Sequence, residues 1–395
     1  MAGKADYIVA AAPAMVLMNA SRGSHSTSTG GCSNIATLSP SRCRGRGRFQ
    51  ERPEASRQAH GCVPARVYAS LCVRADRVRI SNPAPGRFDG GGLRRLGWIV
   101  ALLLGVAAVL YACICGYMAF TLTRPERHAF IHFPEQFGLA YESVEFPSRA
   151  DRIQLRGWLL APVTGAGPRS RPVIMVHGKG TDREAGPGEG ILGIAAPLAR
   201  AGYRVLTFDL RGSGESGGDR FTLGAQEVRD VGGAIDFLGE RGLAADGVNL
   251  VGFSMGGATV LLTDDPAVRA VAEDSGYADL GELIDVQVPR ASGLPSFFTP
   301  GMVLAVRGLV GVDLYAIRPS DAMPRLARAD VPVLIIHGDA DTYVPPINAR
   351  RLAAAYGPGA ETLFIPGAGH VEGHVVAPTA YDERLRSFLD RSAGG

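Results

Sequence analysis

Apolar residues fall into three unlike patterns along the chain. Up to residue 92 no apolar periodicity lasts a helix length, and Ser, Gly, Arg, Pro and Ala dominate. Such a segment buries too little apolar surface to order itself, so residues 1–92 are expected to be disordered. Residues 96–122 then run without one charged side chain. At 1.5 Å rise per residue this run exceeds the roughly 30 Å of a bilayer's hydrocarbon, so it predicts one transmembrane helix. Trp98 and Tyr117 lie near its ends, where amphipathic rings favour the interface. A signal peptide is the competing reading, but its apolar region is normally about 7–15 residues. Leu110-Tyr111-Ala112-Cys113 only faintly matches a lipoprotein cleavage box, because Tyr111 is bulky.

Beyond the span, short apolar runs alternate with stretches of helical spacing. Residues 144–146 and 153–160 read as an antiparallel pair, 172–180 as a buried strand ending in a glycine-rich loop, and 191–201 as a helix. A strand over 203–208 follows, then a helix carrying Val228, Val231, Ile235 and Leu238, then an apolar strand from Val248 to Phe253. Residues 268–273, 331–336 and 362–365 supply further strands, and Tyr381, Leu385, Phe388 and Leu389 give a last helix one apolar face. Continuous apolar strands separated by helices predict an α/β fold, a mostly parallel sheet covered on both faces. Reactive loops then gather at the strand carboxyl ends.

Charge and cysteine divide the chain near the same place. Residues 1–95 hold 15 Lys and Arg against 5 Asp and Glu, whereas the remainder holds 26 against 33, so a net of +3 conceals a basic head and an acidic body. The run Ser41-Arg42-Cys43-Arg44-Gly45-Arg46-Gly47-Arg48 has no folded reader beside it, which argues for a solvated tail and against nucleic-acid binding. A start codon further downstream would remove part of this head. All six cysteines precede residue 116. A disulfide framework, a cysteine nucleophile and a thiolate metal site are therefore excluded from the body. Six arginines (74, 77, 79, 87, 94 and 95) precede the span and only Arg124 and Arg127 follow it closely. The positive-inside bias puts the N-terminus in the cytoplasm and the body outside it.

The strand from Val248 runs into Gly252-Phe253-Ser254-Met255-Gly256, a Gly-x-Ser-x-Gly sequence at a strand-to-helix turn. Glycines two before and two after the serine remove the Cβ atoms that would clash in so sharp a turn. Ser254 then presents its hydroxyl to open space, and the Met255 N–H at the helix start can donate to an oxyanion.

With three further motifs in a fixed chain order, the chain after the span resembles an α/β-hydrolase. In His337-Gly338-Asp339-Ala340-Asp341-Thr342-Tyr343-Val344-Pro345, Asp341 matches the family's acid, with Asp339 as the alternative. In Pro366-Gly367-Ala368-Gly369-His370, His370 matches the base, with His374 as its rival. His177-Gly178-Lys179-Gly180 resembles the loop that supplies the second oxyanion donor, through the Lys179 N–H. The resemblance implies a hydrolase domain over residues 139–391, a small cap at about 277–321, and a structural role for Arg211 in Asp209-x-Arg211-Gly212-x-Gly214-x-Ser216. It also implies a catalytic triad of Ser254, Asp341 and His370. No metal cluster, Walker loop or dinucleotide fingerprint occurs, so no cofactor is expected.

The expectation is a membrane-anchored serine esterase acting on a small ester, thioester or other acyl substrate. The apolar run from Pro295 to Val306 suits a greasy substrate, or equally packs the cap on the core. One rival is a serine aminopeptidase or prolyl-oligopeptidase-like peptidase, in which Glu282, Asp285 or Asp313 would hold a substrate amine. Another is a binding module on a hydrolase scaffold. Oligomeric state leaves no mark in the sequence.

Overall fold

The computed structural model describes residues 91–392 apart from 126, 164 and 166–168. The basic head up to residue 90 lies outside the described residues. From Leu96 onward the chain forms one compact unit; of a second unit, ending at Arg95, the described part is the helical stretch from Gly91.

Helix α1 (Gly91–Thr123) begins five residues before the uncharged run and absorbs Gly91 and Gly92, the last two residues of the expected disordered head. Every side chain from Leu96 to Leu110 is exposed, apolar or not; burial starts only at Tyr111.

The sheet that follows has eight strands, β1 (Tyr141–Pro147), β2 (Gln154–Leu160), β3 (Val173–Val176), β4 (Val205–Phe208), β5 (Val248–Phe253), β6 (Val268–Asp274), β7 (Val333–Gly338) and β8 (Glu361–Ile365). Their order is β1-β2-β4-β3-β5-β6-β7-β8. β1 pairs antiparallel with β2, and β2 with β4; every other neighbouring pair is parallel. The central strands β3, β4, β5 and β7 are buried at every residue, as a sheet covered on both faces requires.

Alternation along each strand sorts its side chains onto two cores. Ile174, Val176, Leu206, Phe208 and Leu250 join one core with α3 (Glu227–Glu240) and α4 (Met255–Leu262). Val173, Met175, Val205, Val251 and Phe253 join the other with α2 (Gly190–Arg200) and α10 (Pro378–Ser392). Tyr381, Leu385, Phe388 and Leu389 are the buried residues of α10, the stripe its spacing predicted.

Between β6 and β7, where a cap at about 277–321 was expected, the chain leaves the sheet to form α5 (Leu280–Ser292), α6 (Phe298–Val310) and α7 (Pro319–Arg328). Beyond β7, α8 (Ile347–Tyr356) and the short α9 (Gly373–Val376) complete the fold.

Candidate active site

Strand β5 lies in the middle of the sheet, and the chain reverses into α4 at its carboxyl end. Ser254 at that turn has φ 54° and ψ −115°, a conformation a side-chain-bearing residue adopts only when its surroundings force it. The flanking glycines show the force. A Cβ on Gly252 would stand 2.3 Å from the Gly256 carbonyl oxygen, and one on Gly256 would stand 2.1 Å from that of Val176. The neighbouring strand and the returning helix leave no room for either.

His370 sits in the loop after β8 and Asp341 in the loop after β7, so three strand ends bring the side chains together. The His370 Nε2 lies 2.8 Å from Ser254 Oγ, and its Nδ1 lies 2.7 Å from Asp341 Oδ2. A carboxylate only accepts, so Nδ1 carries the imidazole proton and Nε2 is left to accept from the serine hydroxyl. Asp341 is buried, and its other oxygen accepts N–H bonds from Tyr343 and Val344, each at 2.8 Å. These fix the carboxylate before it meets the imidazole. His337, at the end of β7, is fully buried, donates from Nε2 to the Val344 carbonyl at 2.7 Å, and holds the same loop from beneath.

The rivals named from sequence lie elsewhere. His374 pairs with Asp382 at 3.2 Å and stacks edge-on against Tyr381. Asp339 accepts from the Gly367 N–H at 2.7 Å, which joins the two loops that carry the acid and the histidine. It thus bridges two loops.

Met255 is the first residue of α4, so its N–H belongs to the unsatisfied donors of a helix start. The Gly178-Lys179 loop runs beside it: a Cβ on Gly178 would stand 3.2 Å from Ser254 Cβ. His177 shapes this loop, accepting at Nε2 from the Leu210 N–H (2.9 Å) and donating from Nδ1 to the Gly178 carbonyl (2.7 Å). Burial lowers its pKa, in keeping with the neutral ring this pattern demands. The Lys179 ammonium lies 5.5 Å from the centre of the Phe221 ring. Arg211 forms paired bonds to Asp230 and also reaches Asp151 and Ser148, so it ties loops together as expected.

A second layer was missed. Asp274, at the end of β6, gives its carbonyl to the Ser254 N–H at 2.8 Å, and its carboxyl accepts from Ser275 (2.8 Å) and Tyr381 (3.0 Å). Burial pushes its pKa up, against those two hydrogen bonds. Glu273 beside it is fully buried, accepts from the Gly276 N–H at 2.7 Å, and is pushed by burial up to about 8. It packs against Gly257 in the first turn of α4. Two adjacent carboxylates at the carboxyl end of a central strand were the available signal.

The three carboxylates considered for an amine site all have protein partners. Glu282 pairs with Arg351, Asp285 accepts from the Tyr315 hydroxyl at 2.8 Å, and Asp313 accepts from the Tyr315 N–H at 3.0 Å and faces Arg307. Among the described residues no cluster of His, Cys, Asp and Glu is arranged to hold a metal.

The arrangement can do acyl-transfer chemistry: a hydroxyl with an acceptor nitrogen on its proton, a carboxylate behind the ring, and helix-start amides alongside. The chain is 27% identical over 306 residues to uncharacterized protein Rv2307c of Mycobacterium tuberculosis, covering 73% of this chain and 96% of that one. It is 25% identical over 238 residues to uncharacterized protein YfhR of Escherichia coli K12, covering 58% and 74%. Among solved structures, the Pyrococcus furiosus esterase Pf2001 superposes with a TM-score of 0.57 at 23% identity, over 69% of this chain and 98% of that one, a likeness of fold. The model of the alpha/beta hydrolase family matches residues 173–384, from the first residue of β3 into α10 and across the strand ends that carry Ser254, Asp341 and His370, so the chain belongs to that family.

Proposed function

We propose that the chain is a membrane-anchored serine hydrolase that cleaves a carboxylic ester or thioester through an acyl-enzyme. The observation that carries this reading is the pair of contacts at His370, 2.8 Å to Ser254 Oγ on one side and 2.7 Å to Asp341 on the other. Ser254 Oγ attacks the carbonyl carbon as its proton passes to His370 Nε2. The imidazolium formed is stabilised by Asp341 and returns the proton to the departing alkoxide or thiolate. Water then attacks the acyl-enzyme by the same route, releasing the acid and restoring the serine. The backbone N–H groups of Met255 and Lys179 take the negative charge on the carbonyl oxygen, where one such donor is typically worth about a hundredfold or more in rate.

The engaged state of Glu282, Asp285 and Asp313 favours the ester reading over an aminopeptidase, because a substrate amine would have to displace an existing partner. The complete set of nucleophile, base, acid and donors favours an enzyme over a binding module. Helix α1 supports the anchor, and the arginine excess before it supports a body on the extracytoplasmic side.

Comparing p-nitrophenyl esters with aminoacyl anilides tests the reading. Ester turnover that disappears in Ser254→Ala supports it, whereas cleavage of the anilides alone would overturn the esterase assignment. Reporter fusions on either side of α1 test the topology.

A further inference from the structure

Up to Val306 helix α6 turns no charged side chain outward; Arg307, in its last turn, is exposed and faces Asp313. The buried stripe of the helix is Thr299, Met302, Val303 and Val306, yet the opposite face carries Phe297 at its cap, Pro300, Leu304 and Gly308, with Leu304 70% and Phe297 60% exposed. From Leu294 to Val306 the sequence holds no charge. A surface helix in water would place polar side chains outward, so this outer face is built for a medium other than water.

The same helix is joined to α1. The Tyr111 hydroxyl donates to the Phe297 carbonyl at 2.9 Å, and its ring stacks on Phe298 with centroids 5.1 Å apart. Gly301 makes the close approach possible, since a Cβ there would stand 2.4 Å from the Tyr111 hydroxyl and 2.5 Å from Cys115 Sγ. Small residues at a helix contact let two backbones draw together in this way.

Length decides where that junction sits. The uncharged run starts at Leu96, and α1 is exposed all round only to Leu110. Those residues rise about 22 Å, short of the roughly 30 Å of hydrocarbon, which at 1.5 Å per residue is filled only near residue 116. The missing part lies beside Tyr111 and Cys115, at the level of Gly301. Further on, the guanidinium of Arg220 stands 4.2 Å and that of Arg124 5.7 Å from the Phe120 ring centre, a pair of cations one turn above the hydrocarbon, where lipid phosphates lie.

Resting on the membrane-anchor reading above, we propose that α6 docks in the bilayer's outer hydrocarbon boundary and that the hydrolase draws its substrate, an acyl ester of a lipid, from that leaflet. The candidate site is tied to the end of α1, at the level of those two cations. The Phe221 N–H donates to the carbonyl of Thr123, the last residue of α1, at 3.1 Å, and the Phe221 ring lies beneath Lys179 of the loop that borders Ser254. Phe221 therefore joins the end of the anchor to the loop that borders Ser254.

The full chain reconstituted in phosphatidylcholine and phosphatidylglycerol vesicles tests this. Trp98 reports the span, and Leu304→Trp adds a second reporter on α6. With lipids brominated at deep or shallow acyl positions, the account predicts that shallow bromines quench both Trp98, at the inner end of the span, and the emission added by the Leu304→Trp substitution, while the buried Trp158 is not quenched. Quenching of Trp98 alone would overturn the docking of α6 and leave the anchor standing; quenching of neither would overturn both. In parallel, Leu304→Asp should lower turnover of a long-chain ester embedded in the vesicles about tenfold, the partition loss of one leucine side chain. Its turnover of a soluble short-chain ester should stay unchanged. An equal effect on the two substrates, or none on the embedded one, would overturn the lipid-leaflet source, and this contrast does not depend on the quenching result.

Discussion

The carbonyl oxygen of Val176 lies 2.1 Å from the point where a Cβ on Gly256 would be, so strand β3 and the first turn of α4 touch backbone to backbone. That contact presses the elbow into shape and sets Ser254 in its strained conformation. Gly256→Ala must push the two apart. Overpacking of this kind typically costs about 1–3 kcal/mol, and the shift moves Ser254 away from His370. Thermal unfolding should fall by several degrees, with ester turnover lost. Gly105→Ala, in a helix with nothing within 4 Å of its Cβ, should change neither.

Asp341 and Asp339 are two residues apart and do different work. Asp341→Asn can no longer hold the Nδ1–H tautomer, and a loss of kcat of about a thousandfold or more is expected with KM little changed. Asp339→Ala removes only the bond to the Gly367 N–H. It should leave kcat within about tenfold, at a stability cost of about 1 kcal/mol. Steady-state kinetics on one soluble ester separates the two, and equal losses would reassign the acid.

Much of this was legible because backbone sterics and chain order are written locally. Gly252 and Gly256 announce the elbow, and the alternation of Tyr381, Leu385, Phe388 and Leu389 gives α10 its face. The family order of Ser254, Asp341 and His370 placed three side chains that the structure does bring together. Sheet order was not legible, since it depends on which apolar strands choose one another over long separations. Glu273 and Asp274 were hidden because a carboxylate at the end of an apolar strand reads as a boundary. Only the neighbouring β5 and α4 reveal that it is buried beneath the turn of Ser254. The contact of Gly301 with Tyr111 joins residues about 190 apart and leaves no local trace.

Glu273 makes stability depend on pH. Its folded-state pKa of about 8 is raised above the ordinary 4.5, so the folded chain keeps a proton that the unfolded chain loses. The folded state therefore binds more protons between pH 4.5 and about 8, and this group's contribution to stability falls as pH rises through that window. Below 4.5 and above about 8 its slope vanishes. Glu273→Gln, which keeps the acceptor for the Gly276 N–H, should flatten the dependence and stabilise the protein most at the alkaline end. Denaturant unfolding at a series of pH values checks it, and an unchanged slope in the variant would place the titration elsewhere.

The central claim is that His370 activates Ser254 for covalent attack. Its most direct measurement is labelling of the full chain by a fluorophosphonate probe, with mass spectrometry of the modified peptide. The account predicts one adduct, on Ser254, abolished in Ser254→Ala and slowed by orders of magnitude in His370→Ala while both variants remain folded. A folded wild-type chain that takes up no probe, or one labelled at the same rate without the imidazole of residue 370, would contradict it.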